Sequence, residues 1–275
     1  MKTILITGAS GYVGKAFLSA HGRDYKFRVF GRTPVEGFDF FKGDIKSLDD
    51  IERAMKGVDA VLHLAAATTD GTGISDYEYF QTNTVGTFNL LEAAVRNNVK
   101  KVVYGSSVCA VGFRATPRLI METDRCEPSD GMYGYSKYLS EQLCECYAAT
   151  RGIRIIALRT AMVVPQHKVT APANPLARHW LGAVHIDDVV QAFRLAIDND
   201  AIGYGVFHVA SGNPASKFDI TKAKAVLGYK PQHDLKEITS PGALKTAQAL
   251  AGAALGIPCR VIKTFASLTR RSGNK

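Results

Sequence analysis

Short apolar, β-branched runs alternate with stretches whose apolar residues recur every three or four positions, and the alternation starts at the second residue. Lys2-Thr-Ile-Leu-Ile-Thr7 reads as a strand that stops at glycine, and Lys15-Ala-Phe-Leu-Ser-Ala20 as the helix after it. Further strands are predicted at Arg28-Val-Phe30, from Phe40 to Ile45, from Ala60 to Ala66 and from Lys101 to Tyr104. Helical spacing appears over 48–56, over 83–94 and from Tyr138 to Tyr147, the last headed by Tyr133-Gly-Tyr-Ser-Lys137. Strands that alternate with helices predict an α/β fold: a parallel sheet covered on both faces, with ligands at the carboxyl ends of its strands.

Composition narrows the function classes. The chain has 275 residues, 46% hydrophobic and 21% charged, enough for one large domain or for one domain with an appendage. A net charge of +9 raises nucleic acid as a partner, but Lys and Arg are scattered except in the tail Lys263 to Lys275. A basic anion-binding cleft plus a basic tail accounts for the excess, so neither a nucleic-acid nor a membrane partner is expected. Five cysteines, an odd number without zinc-ligand spacing, fit a reducing compartment and no metal site. Cys144 and Cys146 read as packing residues. The strand-like run from Lys2 leaves no signal peptide, and no apolar stretch is long enough to span a bilayer, so a cytoplasmic protein is expected.

Candidate chemistry begins in the first turn. Gly8-Ala-Ser10-Gly11-Tyr12-Val13-Gly14 joins a strand to a helix. Its glycines permit a sharp turn, bring a pyrophosphate close to main-chain N–H groups at a helix N-terminus, and let the helix pack near the sheet. At the end of the second strand, where an acid would hold the adenosine ribose 2′-hydroxyl, the chain has Gly31, followed by Arg32. An arginine suits a 2′-phosphate, so NADP(H) is expected over NAD(H). Asp44, with Ile45 beside it, is placed to accept from the adenine amino group, or else to cap the helix that follows. Leu64-Ala65-Ala66 are small or apolar residues that let a cofactor approach the backbone, and His63 before them reads as a packed core histidine. The strand at Lys101 leads to Ser106-Ser107, which puts hydroxyls at the ligand-bearing edge. Tyr133 and Lys137 lie four residues apart on one helix face, where their side chains can meet. A phenol titrates near ~10 in water and a neighbouring ammonium favours the phenolate, so the pair is able to move a proton near neutral pH.

This series resembles the extended short-chain dehydrogenase/reductase superfamily, which includes NAD(P)-dependent epimerases, dehydratases and many reductases. The resemblance runs over about the first four-fifths of the chain. It implies a Rossmann-type doubly wound parallel sheet with a small C-terminal substrate lobe. The glycine motif falls on Gly8, Gly11 and Gly14, the adenine-side acid on Asp44, the strand-end motif on Leu64 to Ala66, and a structural Asn-x-x-Gly-Thr on Asn83 to Thr87. The catalytic Ser, Tyr and Lys fall on Ser107, Tyr133 and Lys137, the last two also holding cofactor. Leu158-Arg159, Val184 to Asp188 and Ala223 to Pro231 match later motifs of the family.

Departures shape the expected activity. Met162 stands where members that bind a nucleotide-sugar often carry Asn, and Val108-Cys109 follow Ser107 where dehydratases place Asp-Glu. The first argues against a diphosphate-sugar substrate and the second against dehydration. The shortened lobe resembles the short sugar and uronate dehydrogenases, whereas the strand around Ser107 looks more like that of dihydroflavonol-reductase-like and steroid-dehydrogenase-like members. The expected organisation is a dinucleotide-binding core over 1–162, a lobe interleaved with returning core elements over 163–237, and a C-terminal helix and tail over 238–275; the lobe is expected to be built from the loop 113–132, the segment 163–183 and the region after Ser211. The expected activity is hydride transfer between NADP(H) and a carbonyl or alcohol carbon of a small substrate: a sugar, sugar derivative, aldehyde or ketone. The alternatives are an NAD-dependent nucleotide-sugar epimerase and a non-catalytic dinucleotide-sensing protein. A homodimer is expected through the helices at Thr87 to Asn97 and Lys137 to Thr150.

Overall fold

In the computed structural model, residues 1–68, 73–113, 116–164, 182–213 and 216–235 are described. Seven parallel strands form one sheet in the order β3-β2-β1-β4-β5-β6-β9. They are β1 (Thr3–Thr7), β2 (Lys26–Gly31), β3 (Asp39–Lys42), β4 (Ala60–His63), β5 (Lys101–Ser107), β6 (Arg154–Thr160) and β9 (Tyr204–Val209). A separate parallel pair, β7 (Met162–Val164) and β8 (Ala183–His185), lies beyond the end of β6. The helices are α1 (Tyr12–His21), α2 (Leu48–Ala54), α3 (Asp76–Tyr79), α4 (Gly86–Arg96), α5 (Met132–Arg151) and α6 (Ile186–Asp198).

Alternation along the strands builds two cores. On β1, Ile4 and Ile6 face α1 and α6, where Phe17, Val189 and Phe193 pack, while Leu5 faces the opposite side with Ile51, Leu90, Leu91 and Tyr147 of α2, α4 and α5. Burial of both faces explains the unbroken apolar runs Ile4-Leu5-Ile6 in β1 and Ala60-Val61-Leu62 in β4. The chain leaves β1 toward β2 and β3, then returns to β4 on the other side of β1. That reversal opens a crevice between the carboxyl ends of β1 and β4. At the amino ends of the strands Asp200 instead pairs with Lys2 at 3.0 Å, Lys101 at 3.5 Å and Arg154 at 3.6 Å.

The doubly wound α/β sheet read from the sequence is the one observed, with shifted boundaries. β2 begins two residues earlier than expected, and β3 ends at Lys42, which leaves Asp44 outside the strand. β4 ends at His63, and β5 runs three residues past Tyr104 to Ser107. The helix expected over 83–94 starts as a wider π-helical turn, Phe80–Val85, before α4. Cys144 is buried as a packing residue, but Cys146 is exposed, because two residues apart on a helix turns one side chain away from the other. No described helix is long and apolar enough to cross a membrane.

The segments expected to form the lobe meet at an isolated bridge between Ile120 and Phe218, where the Ile120 N–H donates to the Lys217 carbonyl at 2.7 Å. Phe113 packs edge-on to Phe218 with ring centroids 5.2 Å apart. The closing motif contains a π-helical turn, Ala223–Leu227, after which the buried Tyr229 hydroxyl donates to the Ala210 carbonyl at 2.9 Å. The helix expected over 243–255, the tail Lys263 to Lys275 and most of the stretch between Pro165 and Val184 lie outside the described residues.

Candidate active site

Thr7 closes β1 and fixes the first wall of the crevice. Its hydroxyl lies 2.8 Å from His63 Nδ1 and accepts from the Ala65 N–H at 3.1 Å. His63 Nε2 lies 3.1 Å from Thr87 Oγ1, and that hydroxyl donates to the Asn83 carbonyl at 2.5 Å. The chain of bonds is satisfied throughout if His63 is neutral with its proton on Nε2. Burial, helped by the Lys137 charge, pushes this imidazole down to about 3, which enforces the neutral form. His63 is thus the packed histidine expected, and it braces the Thr7 hydroxyl that accepts from the Ala65 N–H.

The glycines leave the space that a dinucleotide needs. Gly8 has φ +72°, and a Cβ there would lie 2.5 Å from the Ala65 nitrogen; one on Gly14 would lie 2.5 Å from the Gly8 carbonyl oxygen. The turn and the N-terminus of α1 open onto a cavity of about 390 Å³, a favourable place for a pyrophosphate. Gly8, Ser10, Gly11, Tyr12, Val13, Gly14, Arg32, Asp44, Ile45, Leu64, Ala65 and Ala66 all line it, so every candidate of the dinucleotide half except Tyr133 and Lys137 is brought together. These residues fit the group.

Asp44 does not cap α2. Its Oδ1 accepts from the Lys46 N–H at 2.9 Å, and Ser47 is the cap, its hydroxyl accepting from the Asp50 N–H at 3.3 Å. Lys46, Thr68, Glu78 and Thr82 also line the cavity and were missed by sequence reasoning. Lys46 carried a faint signal, being next to Ile45. Glu78 and Thr82 carried none, since only tertiary packing brings them beside Lys46.

The second half of the site lies where β5 ends against α5. The two serines there have separate roles. Ser106 donates to Glu141 at 2.5 Å, and Glu141 is held by Arg159 at 2.7 Å in an ion pair buried on both sides. Ser107 instead ends the strand and accepts from the Cys109 N–H at 3.2 Å. Tyr133, half-buried in the first turn of α5, packs edge-on to Tyr79 at 5.9 Å. Lys137 is buried; its ammonium donates to the Gly105 carbonyl at 2.8 Å and sits 5.0 Å from the centre of the Tyr104 ring. Burial pushes Lys137 down to about 8, against an opposing pull from Glu141. Neither Ser107, Tyr133 nor Lys137 lines the cavity itself, but Gly105 abuts Leu64, which does: a Cβ on Gly105 would lie 3.1 Å from Leu64 Cδ2.

Two tight contacts set the height of Tyr133. A Cβ on Gly134 would lie 1.9 Å from the Ser129 carbonyl oxygen, so the first turn of α5 presses on the loop after Ser107. Asn83 bonds both the N–H (2.7 Å) and the carbonyl (3.1 Å) of Ala67 and donates to Ser136 Oγ at 2.9 Å, while Ser136 donates to the Tyr133 carbonyl at 2.7 Å. The end of β4 and the first turn of α5 are therefore one hydrogen-bonded unit.

Comparison with known proteins agrees with this geometry. A model of the family described as NAD dependent epimerase/dehydratase family matches residues 4–181. NAD-dependent glucose-6-phosphate dehydrogenase from Haloferax volcanii is 29% identical, over 87% of this chain and 96% of its own length. L-arabinose 1-dehydrogenase (NAD(P)(+)) from the same organism is 26% identical, over 84% of this chain and 97% of its own length. Among solved structures, a mutated uronate dehydrogenase superposes with a TM-score of 0.74 and 25% identity, covering 86% of this chain and 83% of that one. The chain belongs to the NAD dependent epimerase/dehydratase family and is an enzyme that works with a nicotinamide dinucleotide.

Proposed function

We propose that this enzyme transfers hydride between NADP(H) and a carbonyl or alcohol carbon of a small sugar or sugar derivative. The observation that carries this reading is the buried Lys137 ammonium, bonded to Gly105 at the join between the dinucleotide cavity and the strand end that bears Ser107. A non-catalytic sensor has no need of a cation buried at such cost. The dinucleotide, when bound, supplies or accepts the hydride. In this proposal Tyr133 gives or takes the proton of the substrate oxygen, and Ser107 donates a hydrogen bond to that oxygen. Lys137 keeps positive charge beside the reacting phenol and holds the nicotinamide ribose.

Sugars are favoured over other carbonyl compounds by the relatives, whose names specify glucose-6-phosphate, L-arabinose and uronate. Net redox is favoured over epimerisation by Met162 and by the trimmed lobe. That lobe, 113–132 with 163–183 and the region after Ser211, is the proposed seat of specificity. NADP(H) is the proposed cofactor because β2 ends in Gly31 with no acid, and Arg32 lines the cavity. A homodimer through α4 and α5 is supported by Phe88, Tyr135 and Leu139, large apolar side chains left exposed on those helices. A cytoplasmic location is supported by four described cysteines, all free. The test is a screen of aldoses, sugar phosphates and uronates, following nicotinamide absorbance with each cofactor. Stoichiometric oxidation of one of them supports the proposal, and interconversion of epimers without net absorbance change refutes it.

A further inference from the structure

Three charges meet at the adenosine-ribose end of the cavity. Arg32 follows β2, Lys46 follows Ile45, and Glu78 arrives from α3; all three line the cavity together with Gly31. The Glu78 carboxylate lies 3.3 Å from the Lys46 ammonium and accepts from the Thr82 hydroxyl at 2.8 Å. The hydroxyl of Ser75 accepts from the Glu78 N–H at 3.2 Å, fixing the turn from which the carboxylate projects. The Thr82 and Lys46 hydrogen bonds, together with the charge of Arg32, hold the carboxyl below its ordinary range, so it is ionised at neutral pH. One anion is therefore paired with Lys46 and lies within the field of Arg32, at the place where a dinucleotide is proposed to present its ribose.

We infer that Glu78 is a cofactor-discriminating residue, its carboxylate holding between Arg32 and Lys46 the place that a 2′-phosphate would take. The inference rests on the dinucleotide reading above and refines its choice between the two cofactors. A 2′-phosphate carries about −1.5 to −2 charge near neutrality and is drawn to the same two cations. To reach Lys46 it has to drive Glu78 off, against like-charge repulsion. The side chains of Glu78 and Lys46 are 38% and 35% exposed, so both are able to swing toward solvent. NAD(H) brings no phosphate: the Lys46–Glu78 pair stays closed, and a carboxylate oxygen is available to the ribose 2′-hydroxyl. Glu78 thus offers from α3 the acidic acceptor that Gly31 does not, and it limits the preference for NADP(H) that Arg32 creates.

The experiment is a fluorescence titration of the full chain with NADPH and NADH, at low and high salt, for the unmodified protein and for Glu78→Gln, Glu78→Asp and Lys46→Gln. Glu78→Gln should tighten NADPH on the order of tenfold at low salt, and it should weaken NADH, whose ribose 2′-hydroxyl keeps only a neutral amide acceptor. The gain should shrink at high salt. Glu78→Asp, which keeps the charge, should stay near the unmodified ratio. Lys46→Gln should weaken NADPH selectively, which gives a second reading should Glu78→Gln fold poorly. A ratio of NADPH to NADH affinity that is the same in Glu78→Gln or in Lys46→Gln as in the unmodified protein, with both cofactors still bound, overturns the inference alone. Failure of the unmodified protein to bind either cofactor overturns the dinucleotide reading and this inference with it.

Discussion

The ammonium of Lys137 donates to the main-chain carbonyl of Gly105 at 2.8 Å, tying the second turn of α5 to the strand that leads to Ser107. Burial lowers this ammonium from 10.5 to about 8, so one proton has two consequences. If the charged form is the active one, kcat/KM should fall above about pH 8, and Lys137→Met should lack that limb in its residual rate. For stability the sign is opposite. Between about pH 8 and 10.5 the unfolded chain holds the proton that the folded one has lost, so stability should rise with pH through that window. Urea titrations at several pH values check this, and a slope equal to that of Lys137→Met would contradict it.

Tyr133→Phe should lower turnover by about 10²- to 10⁴-fold, the usual worth of a positioned proton donor. The ring contact with Tyr79 and the backbone bond from Ser136 do not involve the phenol oxygen. Cofactor titration should therefore give nearly unchanged affinity, and equal turnover in the variant would remove Tyr133 from the chemistry.

Cofactor choice is testable from both sides of the β2 end. Arg32→Ala should weaken NADP(H) selectively; a guanidinium–phosphate bond of about 1.5–3 kcal/mol corresponds to roughly ten- to hundredfold, less where solvent screens it. A Cβ on Gly31 meets nothing within 4 Å, so Gly31→Asp should fold normally and move preference toward NAD(H). Calorimetry that finds equal affinities for the two cofactors in the unmodified protein would exclude the proposed preference.

Glu141 and Arg159 form an ion pair with side chains 1% and 4% exposed, joining α5 to β6 beneath Ser106. Removing one partner strands a buried charge, so Arg159→Met should cost about 3–5 kcal/mol in chemical denaturation. Adding Glu141→Gln to that variant should recover much of the loss. An additive double variant would mean that the pair contributes no coupling.

Much of this molecule was legible in the sequence because the signals were local. Apolar runs marked β1, β4 and β5, and three glycines between a strand and a helix marked the turn that the Leu64–Ala65 backbone abuts. Ends of elements were harder. Leu64 to Ala66 look like continued strand, yet β4 ends at His63 and the Ala65 N–H donates to the Thr7 hydroxyl instead of a strand carbonyl. Asp44 looks like a helix cap, but Ser47, three residues nearer α2, takes that role. Ser106 and Ser107 are alike in sequence, and only the buried Glu141 tells them apart. Lys46 and Glu78 are 32 residues apart, and no pattern along the chain announces that they meet.

The π-helical turn at Phe80–Val85 links α3 to α4 without a break and holds one residue more than an α-helix would use there. It carries Asn83, which clasps Ala67 and Ser136, while Glu78 lies just ahead of it and Thr87 just after. Deleting a single residue from this turn would restore ordinary winding and rotate everything on one side of it by about 100° relative to the other. The bonds from Glu78 and from Thr87 would then no longer form together. Between these two residues the count of amino acids is constrained as firmly as their identity, so homologous chains that keep both contacts should carry neither insertions nor deletions there.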